Sequence, residues 1–283
     1  MSGSFEFGDE ELARFEELDR RFMEEGVRPH ARGFSVVHQF CKERNIFWSI
    51  PANPLVDELN RIYENYFSAP NVADSGFYGG MSFFLDHVYR VEIPMVFGQI
   101  TLNLKDLANL TDHQMTRIQR DPSAVAKFSD SAFDAVDIAA AVLGFNGFAI
   151  DGNRERELLL KAAYQNQATT AILTGAYLSD AIVQTSVVAF ELALKSVMVN
   201  SGATEEDLRR VGHNLDLGID FLADRGVLIF EAYRELRSAM PAMVKDRYTI
   251  SERTLSEKCE IARCSQAAVS LAVRHLSGAT LKP

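Results

Sequence analysis

The stretch DAIVQTSVVAFELALKSVMVN, residues 180–200, is apolar round almost the whole of a helical cylinder. Ile182, Val183, Val187, Val188, Phe190, Leu192, Leu194, Val197 and Val199 between them leave no broad polar face. A helix of this kind is stable when other elements surround it. The chain is therefore expected to be mainly α, with this helix central in a bundle.

Glu191 and Lys195 interrupt the apolar surface at i,i+4 spacing, in the order that favours pairing. On a solvated face such a pair contributes roughly 0.2–0.5 kcal/mol. Buried, each charge costs several kcal/mol in desolvation before a partner offsets it. Two readings follow: the pair borders a polar groove or subunit seam, or it marks a solvated strip on a helix packed on its other sides.

Periodicity and stop signals place further helices around it, at about 154–177, 213–224, 227–239 and 253–277, with breaks at Ser179–Asp180, Gly202, Gly226 and Pro241. Upstream, GDEELARFEELDRRFMEEG puts Leu12, Phe15, Leu18 and Phe22 on one face of an amphipathic helix. Phe34 to Arg44 suits a second helix, and LVDELNRIYENYF a third with Leu55, Leu59, Ile62 and Tyr66 inward. Gly, Ser, Asp and Pro then cluster, predicting a loop around Gly76–Gly80. VYRVEIPMVFGQITLNL alternates, with Val91, Ile93, Met95 and Phe97 to one side and Gly98 as a bend before Ile100. It is expected to hold one small β-hairpin or extended connection, which Pro94 pushes to an edge. Thr111 and Gln114 form a capping box, and DSAFDAVDIAAAVLGF is another helix before a turn at Asp151–Asn153. These signals divide the chain near residue 150, into a mostly helical region 1–150 and a bundle 151–283.

Composition narrows the function classes. With 47% hydrophobic and 24% charged residues among 283, the chain has the make-up of a globular protein. A net charge of −10 disfavours non-specific nucleic-acid binding, which rests on neutralising phosphates, but leaves room for a local basic site. Cys41, Cys259 and Cys264, with no basic-then-apolar leader, point to reduced thiols and a cytoplasmic location. No run of eighteen apolar residues occurs, so no membrane span is expected. Cys259-x4-Cys264 with His275 lacks a fourth ligand and the tight spacing of zinc sites, so neither a metal nor a cofactor is expected. GFYGGMSFF lacks the Gly-Lys-Ser/Thr of a phosphate loop. LSEKCEIARCSQAAVSLAVRHL fits one continuous helix better than a helix-turn-helix.

Three elements occur in a familiar order: the alanine-rich helix ELLLKAAYQNQATTAILTG, the helix from Asp180 with its ELALK core, and, after a glycine, GHNLDLGIDFL from Gly212. VLIFEAYRELRSAM is compatible as a fourth helix. Over residues from about 154 to 240 the chain resembles the HEPN (higher eukaryotes and prokaryotes nucleotide-binding) domain family. The resemblance implies a HEPN-like up-and-down helical bundle that often dimerises, with a groove between or beside its helices. Members bind nucleotides or RNA. Many are ribonucleases of toxin–antitoxin, phage-defence or RNA-processing systems, and others are non-catalytic partners. It assigns Glu191, Lys195 and His213 to recurring polar positions.

The family's ribonucleases carry an R-x4–6-H motif, in which arginine holds a phosphate and histidine moves a proton. Here Arg209 and Arg210 precede His213 by three and two intervening residues, too few. No histidine follows Arg234 or Arg237 at the required distance, and the formal match Arg32-x5-His38 lies outside the resembling region. The expected function is binding of nucleotide or RNA by a homodimer, in a bacterial defence, toxin–antitoxin or regulatory setting, without the usual ribonuclease motif. Glu191 and Lys195 would shape the groove, and His213 with Arg209 and Arg210 would meet phosphate. The alternatives at these positions are a helix cap for His213 with Asn214 and a solvated loop for the two arginines. For the whole chain they are a protein-interaction scaffold, with a protein partner, and an RNA endonuclease with a departed active site.

Overall fold

The computed structural model describes residues 7–27, 29–48, 53–67, 78–84, 87–94, 101–175, 180–241 and 253–282. Within them the protein is mainly α, with twelve helices and one two-stranded sheet, and the chain divides into two compact units, residues 1–76 and 77–283.

In the first unit α1 (Asp9–Glu24), α2 (Pro29–Glu43) and α3 (Pro54–Phe67) share one small core. Phe15 and Leu18 of α1, Val36, Val37 and Phe40 of α2, and Val56, Leu59 and Tyr63 of α3 are buried in it. The inward stripe of α3 is thus turned from the expected one: Tyr63 goes in and Tyr66 is 65% exposed. The sequence offers two apolar stripes there, and the choice falls on the one whose phenol finds a partner, since the Tyr63 hydroxyl donates to Asp19 of α1. Arg14 clamps Glu43 with hydrogen bonds of 2.8 and 2.6 Å, tying α1 to α2. That guanidinium holds the Glu43 carboxyl at about 2, well below the usual carboxylate range.

The second unit opens with β1 (Tyr78–Phe84) and β2 (His87–Ile93), antiparallel in a register running from Tyr78↔Ile93 to Phe84↔His87. The hairpin therefore begins in the stretch expected to be a loop, Gly79 and Gly80 included. It uses the first part of the alternating segment; Gly76 and residues 95–100 lie outside the described residues. Glycine is a poor strand former, but β1 is buried along its whole length. A Cβ at Gly80 would collide with that of Ala135 and stand 3.2 Å from the Ala135 Cα. Close approach to α6 (Pro122–Leu143) is what Gly80 permits.

Between the hairpin and α6 lie α4 (Leu104–Leu107) and α5 (Asp112–Gln119), the latter opened by the Thr111–Gln114 capping box. Then come α7 (Asn153–Thr174) and α8 (Ala181–Asn200), which fold back on one another with the Thr169 and Thr185 hydroxyls 2.7 Å apart. Three shorter helices follow, α9 (Glu205–Val211), α10 (Leu215–Asp224) and α11 (Phe230–Arg237). The last is α12 (Leu255–Ser277), one continuous helix. It runs alongside α8 in the same direction, Lys258 meeting Asp180 at 3.0 Å and Ser265 the Ser186 carbonyl at 2.7 Å. Gln266 and Arg274 reach Ser131 and Asp137 of α6 in the same sense.

The α8 helix is as enclosed as its composition requires, with Ile182, Val187, Phe190, Leu194 and Val197 at most 1% exposed. Among the described residues it is the helix long and apolar enough to cross a membrane by length and composition, and 67% of that window is buried inside the bundle. The same core takes in Tyr78, Val91, Ala135 and Ile138 together with Leu159, Phe190 and Val269. The boundary consequently falls at residue 76 and not near 150, because the hairpin and α6 form a wall of the bundle core.

Gln266 joins these layers. Its Oε1 accepts from the Met81 amide at 2.8 Å, and its Nε2 donates to the Met81 and Ser131 carbonyls, each at 2.7 Å. Asn166 of α7 donates to the same Oε1 at 3.3 Å and to the Tyr78 hydroxyl at 2.7 Å. A buried side-chain amide thus satisfies the strand edge that faces the helices.

Candidate functional site

Glu191 and Lys195 lie one turn apart on α8 and pair as their spacing requires, with Lys195 Nζ 2.7 Å from Glu191 Oε1. The surroundings are not those of a solvated strip. Their side chains are 9% and 15% exposed, so desolvation weighs against both charges. The second carboxylate oxygen, Oε2, stands 2.9 Å from His213 Nδ1. Charge-assisted bonds to both oxygens offset a burial cost that the helical pair alone would meet poorly.

Local structure explains how His213 reaches Glu191 across 22 positions. The Asn214 side chain caps α10, accepting from the amides of Asp216 at 3.1 Å and Leu217 at 3.3 Å. His213 is therefore relieved of capping and occupies the elbow between α9 and α10. Gly218 lets α10 close onto α8, since a Cβ there would meet Leu194 Cδ2 at 2.7 Å. Leu215, Ile219 and Leu222 complete that contact from the buried side of α10.

The result is a carboxylate with a cation on one oxygen and an imidazole on the other. An ionised carboxylate only accepts, so His213 Nδ1 carries the proton of their shared bond. The neutral ring then keeps Nε2 as an acceptor, and the imidazolium presents it as a donor. The His213 side chain is 53% exposed.

The two arginines do not join this cluster through any contact among the described residues. Both are on α9, a helix opened by the Thr204–Asp207 capping box and not the expected loop. Arg210, 70% exposed, bonds Asp207 at 2.8 Å. Arg209 is exposed in the last turn of the same helix. The formal Arg32-x5-His38 match is divided between other partners: Arg32 pairs with Asp19 at 3.1 Å, and His38 packs edge-on against Trp48 with ring centroids 5.3 Å apart.

The cysteines are buried and free. Burial pushes the Cys264 thiol up to about 12, which makes it a poor nucleophile. Among the described residues no three His, Cys, Asp or Glu side chains stand together as a metal site.

A second buried charge cluster has no counterpart in the expectations. Asp137 on α6 is fully enclosed and accepts from Arg274 Nε at 2.6 Å, Thr280 Oγ1 at 2.9 Å and the Leu281 amide at 2.7 Å. Asp134, one turn earlier, lies 2.8 Å from the Arg274 guanidinium, off the line of a hydrogen bond, and burial raises its carboxyl above the usual range. The cluster fastens the segment after α12 to α6, a structural role. The signal available was a pair of aspartates three residues apart in the otherwise apolar AFDAVDIAAAV.

No family model, no curated protein and no solved structure matches this chain.

Proposed function

We propose that the protein, through its HEPN-like region of about residues 154–240, binds nucleotide or RNA as a homodimer in a bacterial defence, toxin–antitoxin or regulatory setting, with Glu191, Lys195 and His213 as the heart of its site. The observation that carries this reading is the buried Glu191 carboxylate, which holds the Lys195 ammonium and the half-exposed His213 ring at 2.7 and 2.9 Å. Such a carboxylate fixes two cationic or cation-forming groups in place, leaving their remaining N–H donors for an anionic ligand such as a phosphate. Arg209 and Arg210 stand in the last turn of α9, the helix before His213, and would supply the neighbouring positive charge.

The test is a thermal-shift series with mono- and dinucleotides and short RNAs on the full chain, with Lys195→Ala and His213→Ala compared against their own baselines. Binding to the native state raises apparent stability by about 2.7 kcal/mol at one hundred times the dissociation constant. The expected outcome is a shift in the parent protein that both variants lose. Equal shifts in all three proteins, or none in the parent, would remove the site from consideration.

One observation favours a catalytic variant of the same reading. A carboxylate on Nδ1 of a half-exposed ring is the arrangement in which an imidazole serves as a general base. RNA cleavage abolished by His213→Ala would turn the binding site into an endonuclease centre of departed form.

A further inference from the structure

A cavity of about 160 Å³ opens beside the bundle, between the C-terminal half of α6, the connection 144–150, the first half of α7 and the C-terminal end of α12. Its walls are apolar, with Ile138, Val142, Phe148, Leu159 and Val273 among them, and one charged group lines it, Arg156. None of its residues belongs to the Glu191 cluster.

Size limits the occupant. A space of about 150 Å³ accommodates a benzene ring, so this pocket, which opens to solvent on one side, suits the body of a six-membered ring or a branched chain of similar bulk. Charge limits it further. Arg156 is exposed where it lines the pocket and makes no ion pair among the described residues. The neighbouring acid, Glu155, lies over Gly152 at the start of α7. A guanidinium without a recorded carboxylate partner, at the mouth of a mostly apolar pocket, matches a ligand with an apolar body and a single anionic head.

We infer that this cavity is a binding site for a small apolar monocarboxylate, ring-sized or branched, whose body fills the space between α6, α7 and α12 and whose carboxylate meets Arg156. The site is separate from the proposed nucleotide site and stands or falls independently of it.

Titration of the full chain with benzoate and cyclohexanecarboxylate, against benzamide as the uncharged counterpart, tests this directly. Benzoate is expected to bind about tenfold more tightly than benzamide, the scale of one charge-assisted bond. Arg156→Gln changes an exposed residue, so it should leave the melting temperature unchanged while lowering benzoate to the level of benzamide. Ala163→Leu narrows the cavity from its buried wall and should weaken both ligands. If that variant fails to fold, the Arg156→Gln comparison decides alone. Absence of benzoate binding at millimolar concentration, or undiminished binding by Arg156→Gln, would overturn the assignment.

Discussion

Asp137 meets the cost of its burial through three donors drawn from two places in the chain, the last helix and the segment beyond it. Asp137→Ala would strand Arg274 beside Asp134, whose carboxyl already resists ionisation in that setting. Breaking a buried pair from one side costs about 3–5 kcal/mol, and a lowered denaturation midpoint should report it. A loss below about 1 kcal/mol would mean that solvent screens the cluster as it does surface pairs. Legibility at this scale follows separation along the chain. The Glu191–Lys195 bond was readable because i,i+4 spacing fixes it within one helix. Spacing alone could not bring His213 to Glu191 over 22 positions, and only the family resemblance put both on the same short roster. Asp137 and Arg274, 137 positions apart, had neither guide.

Among the elements, β1 depends on shape more than on propensity. Gly80→Ala would force a methyl into Ala135, and overpacking of this kind costs about 1–3 kcal/mol. Gly79→Ala should cost less, because its Cβ would stand an ordinary 3.5 Å from Arg90 Nε. Thermal melts of the two variants side by side separate steric conflict from any general dislike of alanine in the strand; equal losses would point to the latter. The same contrast explains why the strand was misread: Gly-Gly signals a turn in isolation, and the helix that demands it comes some fifty residues later. The short α9 was missed for another reason, since its Thr204-x-x-Asp207 signature stands in plain view. Its acidic start and few apolar residues gave no periodicity to confirm the cap.

At the scale of the whole molecule, each unit has a buried cluster of its own among the described residues. The first unit's buried cluster is drawn from Phe15 through Tyr63, and the clusters of the second begin at Tyr78. A fragment of residues 77–283 is therefore expected to fold alone with a single cooperative unfolding transition, by far-UV circular dichroism and tyrosine fluorescence alike, since the chain's one tryptophan, Trp48, lies outside it. A fragment that keeps helical signal without a cooperative transition would show that the first unit completes its packing. Mainly-α character was readable from the apolar round of α8, while the position of the boundary was not. It depends on which elements share a core, a property of packing that local signals upstream of residue 150 do not encode.

The bond between Gln266 and Met81 carries an implication for how the protein is made. Met81 leaves the ribosome 185 residues before the side chain that satisfies its amide and carbonyl. Throughout most of synthesis that inner strand edge has no partner from its own polypeptide, and an open edge is where strands of other chains add. Translation thus has an interval, closed by the arrival of the final helix, in which the nascent hairpin depends on water or a chaperone to keep its edge occupied.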